Sequence, residues 1–145
     1  MARAGNRARR LLRIVWAAPA TLVGLALAAP ALALGARLRL AGGALEVGGG
    51  RLPGWIARLP GASRFGAITL GHVILGADAA TLDALRPHEQ VHVRQYERWG
   101  ALFFPLYAGS SLVQLLRGRD PYAHNCFERA ARTQSAVGSG PGSAA

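Results

Sequence analysis

Pro87-His88-Glu89-Gln90-Val91-His92 contains an HExxH string, two imidazoles bracketing a carboxylate. Histidines four apart on an α-helix differ by about 40° around the axis and about 6 Å along it, so both rings can reach one ion. Two ring nitrogens at about 2.0–2.1 Å suit Zn²⁺. Glu89, beside the first histidine, is placed to take a proton from water rather than to bind the ion. A single zinc ion would bring the pKa of water towards about 7 and polarise a carbonyl oxygen. The chemistry indicated is metal-assisted hydrolysis, with His88 and His92 as ligands and Glu89 as the catalytic base.

A catalytic zinc also needs a third protein ligand and an open fourth position. Asp120, His124 and Glu128 are the downstream donors. A helix opened by Asp120 as cap and Pro121 in its first turn would run to about Arg132, with Tyr122, Asn125 and Glu128 along one face. Glu128 also stands four residues before Arg132, the spacing of an ordinary surface ion pair. With the HExxH string upstream, Glu128 is the preferred ligand, and His124 and Asp120 stay open as substitutes.

These residues need elements to hold them. Ala67 to Leu75, AITLGHVIL, is expected to be one apolar strand bent at Gly71, where His72 is expected to hydrogen-bond its neighbours, with contact to substrate as the alternative. Asp78 caps a helix towards Arg86, and Pro87 starts a second helix to about Trp99, stopped by Gly100. That break would put His88 in a first turn. His88, His92, Gln95, Tyr96 and Trp99 form the inward stripe of this helix. Ala101 to Leu116 is uncharged but short and interrupted, and is expected to be a buried or membrane-grazing helix. Cys126, the lone cysteine, excludes an internal disulfide and a CxxC zinc ribbon and is expected to be a small buried hydrophobe.

Upstream, Arg3, Arg7, Arg9, Arg10 and Arg13 precede an uncharged run from Ile14 to Ala36 that is long enough to cross a bilayer. An uncleaved anchor is favoured over a signal peptide cut near Ala29 to Ala33, which would leave the protein secreted. The arginine excess puts the N-terminus in the cytoplasm, so a single pass places the rest of the chain outside it, at the cell membrane. Arg37 to Val47 reads as a hairpin turning at Gly42-Gly43, and one helical turn is expected near Trp55 and Ile56. The chain has 145 residues and formal net charge +10, but all seventeen cations are Arg in an Ala- and Gly-rich background. That pattern follows base composition, and no nucleic acid is expected as a partner. The domain reading is 1–36 anchor, 37–132 catalytic domain and 133–145 disordered tail.

HEQVH with the later Glu128-Arg129-Ala130-Ala131 resembles the gluzincin-type zinc metallopeptidases, whose third ligand is a glutamate on a second helix. ITLGHVILG, HEQVHVRQYERWGALFFPLY and YAHNCFERAA together resemble a family of small bacterial membrane proteins without an assigned activity. The first resemblance covers the two motif helices and implies one Zn²⁺ on His88, His92 and Glu128, Glu89 as general base, and a peptide or protein substrate. The implied fold is α+β: a transmembrane helix, a small sheet or hairpin, then an HExxH helix packed on a C-terminal ligand helix, a minimal zincin-like unit. The alternative is a non-catalytic membrane protein with a structural metal or none.

Overall fold

The structure is a computed structural model that describes residues 2–51 and 66–138. The chain is α+β, as expected. It begins with helix α1 (Ala2–Ala33), which takes in the arginine-rich start as well as the apolar run. The helix ends in a Schellman turn: Gly35 has φ 88°, its N–H reaches Leu32 O at 3.0 Å, and Ala36 N–H reaches Ala31 O at 3.0 Å. By length and composition, Arg9–Ala33 and the helical stretch Ala79–Leu116 are each apolar enough to cross a membrane.

Strands β1 (Arg37–Ala41) and β2 (Ala44–Gly48) form the expected hairpin. Gly42 and Gly43 have φ 58° and 83°, the positive pair that a two-residue type I′ turn requires. The segment expected to be one bent strand is instead a second hairpin, β3 (Ala67–Leu70) and β4 (Val73–Gly76), paired Leu70 to Val73 across Gly71-His72. Gly71 adopts φ 61°, which reverses the chain rather than bending it. β4 pairs parallel with β2, giving the order β1-β2-β4-β3. The one-turn helix expected near Trp55 lies outside the described residues.

The sheet is the middle layer of a sandwich. Val47, Val73 and Leu75 pack against Ala28 and Ala31 of α1, while Ala44 and Ile74 pack against Leu82 and Val93 of the next helix. Burial on both faces explains why β4 reads as an unbroken apolar run. α1 can lie close because its contact face is small, Ala17, Gly24, Ala28 and Ala31. A Cβ at Gly24 would come within 2.7 Å of Val73 Cβ.

Helix α2 spans Ala79–Trp99 without a break at Pro87, correcting the two-helix expectation. Asp78 caps it as expected, accepting from Thr81 N–H at 2.8 Å. The proline deprives only the Asp83 carbonyl of its donor. Both halves are held in line by the same sheet, Leu82 before the proline and Val93 after it. Arg86 adds a clamp: it and Arg39 bind the fully buried Glu46 carboxylate of β2, at 2.8 and 2.6 Å. His88 is therefore mid-helix, where both flanking turns fix its direction. Gly100 ends α2 with φ 56°, its N–H on Tyr96 O.

After one 3₁₀ turn, α3 runs Phe103–Leu116. Of the two expectations for this segment, burial is excluded, since among its residues only Phe103 is fully enclosed. Asp120 does accept backbone bonds, from Tyr122 N–H and Ala123 N–H, but this closes a single turn. Helix α4 starts later, at Cys126, and runs to Gly138. Its cap is Asn125, whose Oδ1 accepts from Phe127 N–H at 2.9 Å while its amide donates to Tyr107 O and Ser111 Oγ of α3. That tie to α3, absent from any local pattern, moves the helix start. Residues 133–138, expected to be disordered, continue the helix, with Thr133 and Ser135 hydroxyls bonded back to Arg129 O and Arg132 O. Cys126 is exposed rather than buried, because the first turn of α4 faces outward there.

Candidate metal centre

α2 and α4 pack together and bring His88, His92 and Glu128 to one place. His88 Nε2 lies 3.1 Å from His92 Nε2, and Glu128 Oε2 and Oε1 lie 3.2 and 3.3 Å from the two rings in turn. Donors arranged tetrahedrally about an ion at 2.0–2.1 Å stand roughly 3.3 Å apart; each Glu128 oxygen meets that spacing to one ring, and with one donor atom per residue the three lie within 4.8 Å of one another. Glu128 Oε2 is buried, and its charged neighbours are His88 Nε2 at 3.2 Å and Arg132 at 4.0 Å, the latter being the i,i+4 pair that the spacing allowed. Two imidazoles and one carboxylate, with a cavity on the remaining side, are also the right donor set.

The ligands are aimed by neighbours. Gln95, one turn beyond His92, donates its amide to Phe127 O at 3.1 Å and so turns its Oε1 to His92 Nδ1 at 2.8 Å. His92 must then carry its proton on Nδ1, which leaves Nε2 free for a metal. Tyr107 donates to Glu128 Oε1 at 2.8 Å. Burial opposes charge on Glu128, yet hydrogen bonding from His88, His92 and Tyr107 holds its carboxyl well below the usual glutamate range. Burial likewise opposes charge on His92, but the Glu128 carboxylate wins and raises its pKa. Burial, together with the Glu128 charge, pushes the Tyr107 and Tyr122 phenols up, so both stay protonated donors.

Glu89 is buried beside the ligands and accepts from Thr69 Oγ1 of β3 at 2.6 Å. A cavity of about 260 Å³ joins Glu89 to His88, His92 and Glu128 and is walled by β3, by Tyr96, Phe103, Phe104 and Tyr107, and by Tyr122. β3 is the outer strand on that side of the sheet among the described residues.

Every residue of the expected ligand set, and Glu89, is thus in one cavity. The substitutes are not. His124 is exposed, and Asp120 is spent on the turn that follows it. His72 is not on a strand and does not line the cavity; it sits in the β3–β4 turn, 3.3 Å from Glu97 and beside Thr21 of α1. Trp99 leaves the inward stripe, being 37% exposed under the Arg98 guanidinium. Thr69 and Tyr107 were not foreseen. Thr69 leaves no signal, because its partner is twenty residues away in another element. The i,i+3 spacing from His92 to Gln95 was visible and could have suggested that bond. No family model, no curated protein and no solved structure matches the chain.

Proposed function

We propose that this protein is a membrane-bound, zinc-dependent metallopeptidase-like hydrolase of gluzincin type acting on peptide bonds. The observation that carries the reading is the shared cavity: three donors at ion-binding separations, with a buried carboxylate that is not a ligand next to them. A zinc ion held by His88, His92 and Glu128 would supply an acidified water and an electrophile for a carbonyl oxygen. Glu89 accepts the proton of the attacking water and returns it to the leaving amine. Thr69 holds Glu89 Oε2, and Glu89 lines the cavity. The Tyr107 and Tyr122 phenols, kept protonated, hold Glu128 in place. Among the described residues β3 is the outer strand, and its edge would offer backbone groups to an extended peptide.

On topology, one crossing by residues 14–36 with the site outside the cytoplasm requires α1 to leave its sheet. Its face from Ala17 to Ala31 is packed, and a crossing in that pose would pull the strands that lie on it, β2 and β4, into hydrocarbon. α3 does not separate the ligands: fourteen residues span only about 21 Å, and α2 and α4 on either side of it meet at the site. His88, His92 and Glu128 therefore share one side of the membrane.

The test is metal analysis of the purified full chain beside His92→Ala and Glu128→Ala, with peptide hydrolysis measured for wild type and Glu89→Gln. Zinc near one per chain, lost in both ligand variants, is expected. Glu89→Gln should keep the metal and lose at least about 100-fold in rate. A metal that stays while no variant alters any hydrolysis would mark a structural site.

A further inference from the structure

Two helices of this molecule are built inside out. A helix bordered by water puts its polar residues outward. On α3 the inward side carries Tyr107, Ser110, Ser111 and Gln114, with Ser110 and Ser111 bonded to the Asn125 region of α4. Its outward side carries Phe104, Leu112, Leu115 and Leu116, all more than half exposed. α1 does the same with size: alanine and glycine face the sheet while Leu12, Val15, Leu22 and Val23 stand out. The two helices meet at the Ala17–Tyr96–Phe103 cluster. An apolar face of this extent marks a contact with something other than water.

Charge indicates what covers it. Neither helix contains an acid. Arg9, Arg10 and Arg13 precede the apolar part of α1, and Arg117 and Arg119 follow α3. Apolar faces with arginines at their ends suit a bilayer surface with anionic headgroups. The layer of sheet on α1 and the shortness of α3 favour a seat in the plane of the interface over a crossing.

The cavity over the candidate metal centre is continuous with this surface. Phe104 and Ile68 both line it, and both are more than half exposed. We propose that the outer faces of α1 and α3 rest in lipid at a membrane surface, and that the cavity opens there to receive an apolar peptide segment held at the bilayer. The seat in lipid stands by itself; the peptide rests on the hydrolase reading above.

The experiment uses the full chain with Cys126→Ser and single cysteines, labelled with a fluorophore, at Leu112, Leu116 or, as control, Arg129 on the exposed side of α4. The vesicles are phosphatidylethanolamine and phosphatidylglycerol with brominated acyl chains. Labels at 112 and 116 should be quenched by bromine several-fold more than 129 and be shielded from aqueous iodide. Quenching equal to that at 129 would overturn the seat in lipid, as would shielding from iodide without bromine quenching, which means a protein covers the face. Alkaline carbonate should release the chain from vesicles; retention would overturn the in-plane placement. For the ligand, zinc-loaded Glu89→Gln is photo-crosslinked to a Leu-rich peptide in vesicles. Capture should exceed that of a Gly/Ser peptide in solution and fall several-fold in Phe104→Glu, or in Ile68→Glu should the first variant misfold, with zinc content unchanged. Equal capture of both peptides, or capture undiminished in the variants, would overturn the lipid-side opening. A chain that binds no zinc would sink the hydrolase reading and the peptide with it, while the quenching result would still decide the seat.

Discussion

At the scale of single residues, the site depends on hydrogen bonds that choose a tautomer. Gln95 can offer its oxygen to His92 only because its amide is committed to Phe127 O. Gln95→Leu should remove that choice while leaving the fold intact, since the side chain is only half-buried. Metal affinity is expected to fall about 10–100-fold, the usual cost of losing a group that orients a ligand. Competition with a chelator of known affinity would measure it, and an unchanged affinity would deny Gln95 this role. His88 and His92 were legible from spacing alone because four residues are one turn of helix. Glu128 was narrowed but not settled, since three acids or imidazoles stood within reach along the chain. His124 and Asp120 drop out for a reason no spacing contains: one points to solvent and the other closes a turn.

At the scale of elements, the clamp on Glu46 joins β1, β2 and α2. Hydrogen bonding from Arg86, with Arg39 behind it, holds the Glu46 carboxyl below its ordinary value despite burial. Glu46→Ala is expected to cost about 3 kcal/mol, the lower end for breaking a buried pair, because both arginines keep partial contact with water. Denaturant unfolding at neutral pH checks it. A depressed carboxyl contributes stability above its unfolded value and loses it as pH falls, so the gap between wild type and variant should close below about pH 4.5. Turn and cap signals such as Gly42-Gly43, Asp78 and Gly100 were readable because they report local φ and ψ. Pro87 misled for the same reason. Its local cost is real, and packing of both flanks of α2 on one sheet outweighs it.

At the scale of the whole molecule, pH and metal should compete for the same groups. In the metal-free chain, Glu128 carries a lowered pKa and His92 a raised one. The carboxylate contributes stability above about 4.5 and loses it as pH falls. The imidazole contributes below about 6.5 and loses it as pH rises through its raised value. The metal-free chain is therefore expected to gain most from this pair between those two values. A bound metal displaces the His92 proton, so its stabilisation should grow with pH. Thermal unfolding with and without chelator should diverge more at pH 8 than at pH 5.5; a gap independent of pH would show that the ion is not held by the histidines.

The chemistry on offer and the local punctuation were already written in the residues: two imidazoles one turn apart, a carboxylate between them, the glycine turn of the first hairpin and the ends of α2. These are properties of a few consecutive residues, and helix and turn geometry makes them near-deterministic. Tertiary structure decided which distant carboxylate completes the set, which hydroxyl steadies Glu89, and that α1 and α3 turn their large apolar side chains outward. Those outcomes depend on which surfaces cover one another, and burial is a property of the packed molecule rather than of any segment.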